Sequence, residues 1–359
     1  LDWSAFKEPD GLLQRLTIDP RISITSVDND IDVSKFFRSQ FLSRYSLSSV
    51  KENHVSNLNL QHNLIYNDNS NALSNLNSDI FFQFDHTYYI SKRRGIFLRA
   101  QPTLFYEYNK REGESATHIN QINGPVMVGY GRLENITSLY QAVRIERDLY
   151  SNDIYNQDKL FEVARALRSL DYNNALDTRM RIIDNNTKYL ELLDSYGYAV
   201  DSFHDIARAL DTYRFERPNF IFQGYEISAG LLPRFSFGEE SDIVAIARAI
   251  YAKALSDKWH WSIQGEATFD FINYDLTDDY FDITNSFSYL PTARTNIGFN
   301  QRYYHSKSIK SLDIFVSVNY FVSPQLSLFL FSQIRHTNNN FQNDVLRLSH
   351  DMGLKYFFF

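Results

Sequence analysis

The chain has 359 residues, of which 43% are hydrophobic and 16% aromatic, with no cysteine and a formal net charge of −7. The lack of cysteine excludes disulfides, thiol chemistry and a lipidated N-terminal cysteine, and a net negative charge without a concentrated basic patch argues against nucleic acid as a partner. No apolar run reaches the roughly eighteen residues of a transmembrane helix, and the mean hydropathy of −0.38 is also what membrane strands give when half of each faces water.

Residues 1–19 show no clear period, and Trp3 and Phe6 are candidates for an interfacial anchor or for filling a barrel mouth. A start at Leu1 instead of methionine reads as a mature form whose signal peptide has been removed. A short strand is expected at 21–27 and further strands at 37–47 and 55–66; in the second, Phe37, Phe41, Tyr45 and Leu47 oppose Arg38, Gln40 and Arg44. Residues 67–78, rich in Asn and Ser, read as a long loop. A strand at 80–90 sets Ile80, Phe82, Phe84 and Tyr88 against Phe81, Gln83, Asp85 and Thr87. A tight turn at 91–94 leads to a strand at 95–108, whose polar face carries Arg99, Gln101, Thr103 and Glu107. Pro102 inside it has no N–H to donate, so it belongs at a bulge or a position outside the ladder. After a charged loop at 109–116, a sixth strand occupies 118–134.

From 137 to 217 the period becomes helical. Thr137 or Ser138 is placed to cap a first helix, Asn156 or Gln157 opens a second, and a third runs from Asp177 to Leu193 with Gly197 beyond its end. Asp201 is placed to cap a fourth. The modest amphipathic faces predict a small four-helix bundle.

Alternation resumes with strands at 219–236, 243–255, 259–274, 280–290, 294–305, 311–322, 325–337 and 345–359. In the third of these, Trp259, Trp261, Ile263, Gly265, Ala267 and Phe269 alternate with His260, Ser262, Gln264, Glu266, Thr268 and Asp270. Such strands are long enough to cross a bilayer when tilted, and aromatics cluster at their ends. The closing stretch, Asp351-Met-Gly-Leu-Lys-Tyr-Phe-Phe-Phe359, resembles the C-terminal signal of bacterial outer-membrane β-barrels, one residue longer than the commonest spacing. The resemblance covers the β parts of the chain. It implies an all-β transmembrane fold: an antiparallel up-and-down β-barrel of about fourteen strands with a mid-chain helical periplasmic insertion. The expected division is a periplasmic N-terminal segment (1–19), a first half-barrel (20–136), the insertion (137–217) and a second half-barrel (218–359). Long and short connections alternate along the chain, and this rhythm puts the helices on the side of the short, periplasmic turns.

No Walker A loop, GxGxxG, HExxH, GxSxG or CxxC motif is present. His260 and Glu266 share the polar face and form a candidate acid–base pair; hydrogen-bonded lumen residues are the more ordinary reading, and no enzyme activity is expected. The other lumen-facing candidates are acidic (Asp85, Glu107, Asp270, Asp282, Asp313, Asp351) and basic (Arg38, Arg44, Arg99, Arg302, Arg335, Arg347, Lys355) in balance. Balance fits a weakly selective channel or a lumen closed by ion pairs. The expected function is of the transport or channel type, with the helices as a gate or a docking module. The alternative is a closed barrel anchoring a larger envelope complex. No cofactor or metal is expected. The expected partners are outer-membrane lipid and lipopolysaccharide, the barrel-assembly machinery through the last strand, and a periplasmic or membrane protein at 137–217.

Overall fold

The computed structural model describes residues 1–29, 32–69, 72–90, 95–150, 156–172, 181–198, 200, 202–215, 221–236, 241–270, 279–292, 294–323, 326–339 and 342–356. The expected turn at 91–94 and Asp201 lie outside the described residues, as does the start of the third helix.

Eight strands precede the helices: β1 (Gly11–Asn29), β2 (Asp32–Val50), β3 (His54–Asn69), β4 (Ala72–Tyr89), β5 (Ile96–Ala100), β6 (Thr103–Arg111), β7 (Thr117–Asn123) and β8 (Val126–Asn135). Eight follow: β9 (Phe222–Ser236), β10 (Asp242–Ala254), β11 (Trp259–Phe269), β12 (Tyr280–Thr292), β13 (Thr295–Ser306), β14 (Ile309–Ser323), β15 (Leu326–Asn339) and β16 (Gln342–Tyr356). Between them lie α1 (Thr137–Tyr150), α2 (Gln157–Tyr172), α3 (Arg181–Ser195) and α4 (Phe203–Phe215).

All sixteen strands belong to one antiparallel sheet, but two pairs are single staves broken in the middle. The lower half of β4 pairs with β5 and its upper half with β6; β8 and the tip of β7 likewise share β9. Among the described residues the wall therefore has the expected fourteen staves. The breaks have one cause. Pro102 interrupts the fifth stave, Gly124-Pro125 the sixth, and Pro233 lies beside them in the seventh. Carbonyls still bridge the crease: Phe84 N–H donates to Pro102 O (3.0 Å), Gln101 N–H to Pro125 O (3.0 Å) and Gly124 N–H to Pro233 O (3.3 Å). A Cβ at Gly124 would stand 2.5 Å from Pro102 Cα, so this close crossing of two broken staves requires glycine.

Several boundaries differ from the sequence reading. β1 begins at Gly11, well before the expected 21, because Leu12-Leu13 and Pro20 blur its alternation. The segment 67–78 is a hairpin in place of a long loop: β3 and β4 stay paired up to Asn69↔Ala72. The connection expected at 338–344 tightens in the same way, to Asn339↔Gln342.

On the strands flanking the helices, outward positions are apolar and exposed and inward ones are covered. On β8, Val128 is 56% exposed and Met127 1%; on β9, Ile227 is 59% exposed and Ser228 5%. The apolar outer face recurs at Leu98, Phe281, Val316, Leu330 and Leu348. A belt of this extent is an aggregation hazard in water and the normal surface of a strand in hydrocarbon.

The helices show that the sheet curls. α2 touches β1, the first stave, while Asp211 of α4 binds Arg294, in the turn between the tenth and eleventh staves. On a flat sheet those points would be roughly 45 Å apart at about 4.8 Å per strand. A helix the length of α2 spans only about 24 Å. The wall wraps around the bundle, which lies at the end of the barrel holding the turns 51–53 and 255–258.

Helix starts follow local chemistry. Asn135, not Thr137 or Ser138, caps α1, its Oδ1 accepting from Thr137 N–H (3.0 Å) and Oγ1 (2.7 Å). Asn156 caps α2 through Lys159 N–H (3.2 Å). Ser202 caps α4, accepting from Asp205 N–H at 3.1 Å while donating to that carboxylate. α3 stops at Gly197, whose φ of +76° lets Tyr198 N–H reach Leu193 O at 2.9 Å.

Candidate functional site: lumen and helical base

Inward charges meet in pairs along the wall. Arg99 binds Glu226 (2.8 Å), Thr87 Oγ1 (2.7 Å) and Asp85 (3.5 Å). Tyr89 OH donates to Glu226 at 3.3 Å. Gln101 Nε2 donates to Asp85 at 2.7 Å and its Oε1 accepts from Arg248. Arg248 also binds Glu266, which accepts from Tyr280 OH. One network thus ties β4, β5, β9, β10, β11 and β12 together. Further round, Arg302 binds Asp282 (2.6 Å) and Arg335 binds Asp313 (2.6 Å). The sequence reading named most of these residues but missed Glu226 and Arg248. Both sit at inward positions between outward apolar residues, Tyr225/Ile227 and Ala247/Ala249, so the same alternation could have found them.

The remaining candidates divide. Arg44 donates to Gln61 (2.9 Å) and Glu107 accepts from Asn109. Arg347 is exposed, in register with Arg335. Asp270 lies past the end of β11, its N–H donating to Asp279 (2.7 Å), so it belongs to a loop and does not line the strand face. The side chains of Arg38, Asp351 and Lys355 lie outside the described residues. The candidate pair His260/Glu266 does not meet: six residues along a strand put them about 20 Å apart. His260 contacts Phe222 O at 2.9 Å, and Glu266 belongs to Arg248 and Tyr280.

Two glycines set up the base. Gly131 and Gly224 have φ of +107° and +124° on facing segments of β8 and β9. The irregularity turns both Arg132 and Glu134 inward, where they pair at 3.3 Å. Arg132 stacks on Tyr89 (4.8 Å) and donates to Glu52 O (3.0 Å) in the β2–β3 turn.

Below this layer the bundle core is continuous with the barrel rim. Leu139, Leu160, Leu193 and Ala209 pack with Phe6 from the N-terminal segment and with Ile136, Ile221, Ala254 and Leu290 at strand ends. Phe6 meets Phe161 edge to face at 5.6 Å, and Trp3 meets Tyr140 at 5.5 Å. The bundle joins the wall through one neck, where Ile136 N–H donates to Ile221 O (2.8 Å) and Ile221 N–H to Thr137 Oγ1 (2.9 Å). Its polar contacts away from the neck include Arg147–Asp257, Arg294–Asp211 (2.9 Å), Arg144 to Leu290 O, the buried Arg168–Glu8 pair (2.9 Å) and Asp2 N–H to Gln157 Oε1 (3.0 Å).

The Arg99–Glu226 pair is buried in the wall. Arg99→Ala is expected to cost about 3–5 kcal/mol, since it leaves Glu226 buried beside Tyr89 without its cation. A urea-unfolding series against Arg44→Ala, expected near zero, measures this.

No family model matches the chain, and no curated protein matches it significantly. Among solved structures it is similar to the β domain of the Bordetella autotransporter BrkA (7% identity, TM-score 0.25, covering 98% of this chain and 100% of that one). It is also similar to two Pseudomonas aeruginosa proteins. OccK3 (OpdO) shows 6% identity, TM-score 0.32 and coverage of 96% and 94%; OpdQ shows 8%, 0.30, and 96% of each chain. The assignment rests on the chain's own features: fourteen antiparallel staves, an inner face carrying paired charges and an apolar outer belt describe a β-barrel of the outer-membrane type.

Proposed function

We propose that this is a bacterial outer-membrane protein of the transport or channel type whose periplasmic end is closed by α1–α4 acting as a gate. The observation that carries the reading is the layout of the bundle: a two-hydrogen-bond neck between the sixth and seventh staves, and side-chain latches spread round the rim, before the first stave (Arg168–Glu8), between the eighth and ninth (Arg147–Asp257) and between the tenth and eleventh (Arg294–Asp211). A body joined to the wall by its chain at a single neck and elsewhere by side chains can swing. Opening would need a partner on the helical face, the kind of partner expected at 137–217. Lipid would cover the outer belt, and the last strand would engage the assembly machinery.

A second reading, a closed barrel serving as a structural anchor, draws on the packed inner wall at Phe97, Met127, Val244 and Ile246, each at most 2% exposed. Conductance separates the two, because a structural barrel stays silent when the latches are removed.

Orientation has its own test, made simple by a chain without cysteine. In intact cells, Lys307→Cys at the far rim is expected to react with a membrane-impermeant maleimide, and Glu162→Cys, an exposed position of α2, to react only after the outer membrane is permeabilised. Labelling of Glu162→Cys in intact cells would invert the topology.

A further inference from the structure

Resting on the channel reading, we propose that the solute is neutral and polyhydroxylated, a saccharide chain, guided along an aromatic track on β12–β15. Register places Tyr280 and Tyr304 on the inner face near the outer mouth, stacked at 5.9 Å. Phe315 and Phe331 follow lower down, with centroids 5.8 Å apart. Phe329 comes next, opposite Asn319. Measured along β14, the path descends from Ser311, the partner of Tyr304, to Asn319, about 26 Å of strand. All five residues are half-buried, and Tyr304 carries Tyr280 and the Arg302 guanidinium (5.9 Å) against its ring.

The neighbours of the rings decide the chemistry. Arg302–Asp282 and Arg335–Asp313 lie beside the track, and both guanidinium side chains keep 45% of their surface accessible. Each of these two cations is matched by a carboxylate, so the pairs themselves add no net charge to draw an ionic solute; Arg347, in register with Arg335, adds a positive charge at the edge of the track. An apolar solute would have to strip water from these charges. A sugar fits both features: its C–H faces lie on the rings, while vicinal hydroxyls donate to the carboxylate and accept from the guanidinium.

The test is calorimetric titration of the folded full-length protein in detergent with linear malto- and cello-oligosaccharides of about six units. Saturable binding is expected, weakened about tenfold or more in Phe315→Ala/Phe331→Ala and unchanged in the outward Leu330→Ala. Phe315→Leu, which keeps apolar volume and removes the ring, guards against a folding defect and is expected to weaken binding too. No binding of either sugar, indifference to the ring variants, or tighter binding of a sugar phosphate or a dicarboxylate would each overturn the proposal. Currents through Arg168→Leu, recorded in parallel, keep the two readings apart. Conductance without oligosaccharide block removes the saccharide and leaves the channel; a folded, silent protein removes both.

Discussion

Arg168→Leu is expected to raise the probability of the open channel about a hundredfold or more. Arg168 and Glu8 are both buried, and their pair joins α2 to the segment leading into the first stave, across the barrel from the neck. Removing the cation leaves a carboxylate buried in the closed state, a cost of about 3–5 kcal/mol for such a pair. The open state escapes that cost because Glu8 reaches water, so the closed–open equilibrium shifts by nearly the full amount. The half-exposed latches Arg147–Asp257 and Arg294–Asp211 contribute far less, about 0–1 kcal/mol each. Single-channel open time in a planar bilayer measures the effect. A folded Arg168→Leu protein with wild-type open time would show that the bundle is not held at this point.

Gly131→Ala is expected to prevent or severely weaken folding. At φ +107° a side chain costs about 1–3 kcal/mol in backbone strain alone. The new Cβ would also stand 2.2 Å from Tyr225 O, a backbone atom held in the ladder. Relief requires the two strands to part where Arg132 and Glu134 turn inward, so the buried layer beneath the lumen is lost with them. Gly113→Ala is the control: its φ is +78°, but nothing lies within 4 Å of the added carbon, and about 1 kcal/mol is expected. Comparable urea midpoints for the two variants would contradict this account of the base.

Alternation made the staves legible because a membrane strand must present apolar side chains on every second residue, and Pro102 announced its own break. The polar hairpin at 67–78 was hidden for the complementary reason. Asn67, Asn69, Asn75 and Asn77 stand in strands that carry no apolar alternation there, so they look like loop. Arg132 was invisible because Gly131 shifts the alternation by one residue, and no local pattern marks a positive-φ glycine in a strand. The inward charges could be named from sequence, but their pairing depends on register and on curvature. Arg248 meets Gln101 three staves away only because the wall bends. His260 and Glu266 illustrate the opposite error: shared parity on one strand is not proximity.

The most direct measurement is single-channel conductance of the intact protein beside a variant lacking residues 137–220. Ile136 and Ile221 already bond to each other, so a short turn can join β8 to β9 without disturbing the wall. The account predicts a protein that is closed or only briefly open when intact and steadily conducting after the deletion. Equal steady conductance in both, or silence in both from barrels shown to be folded, would contradict a gate at the base of this barrel.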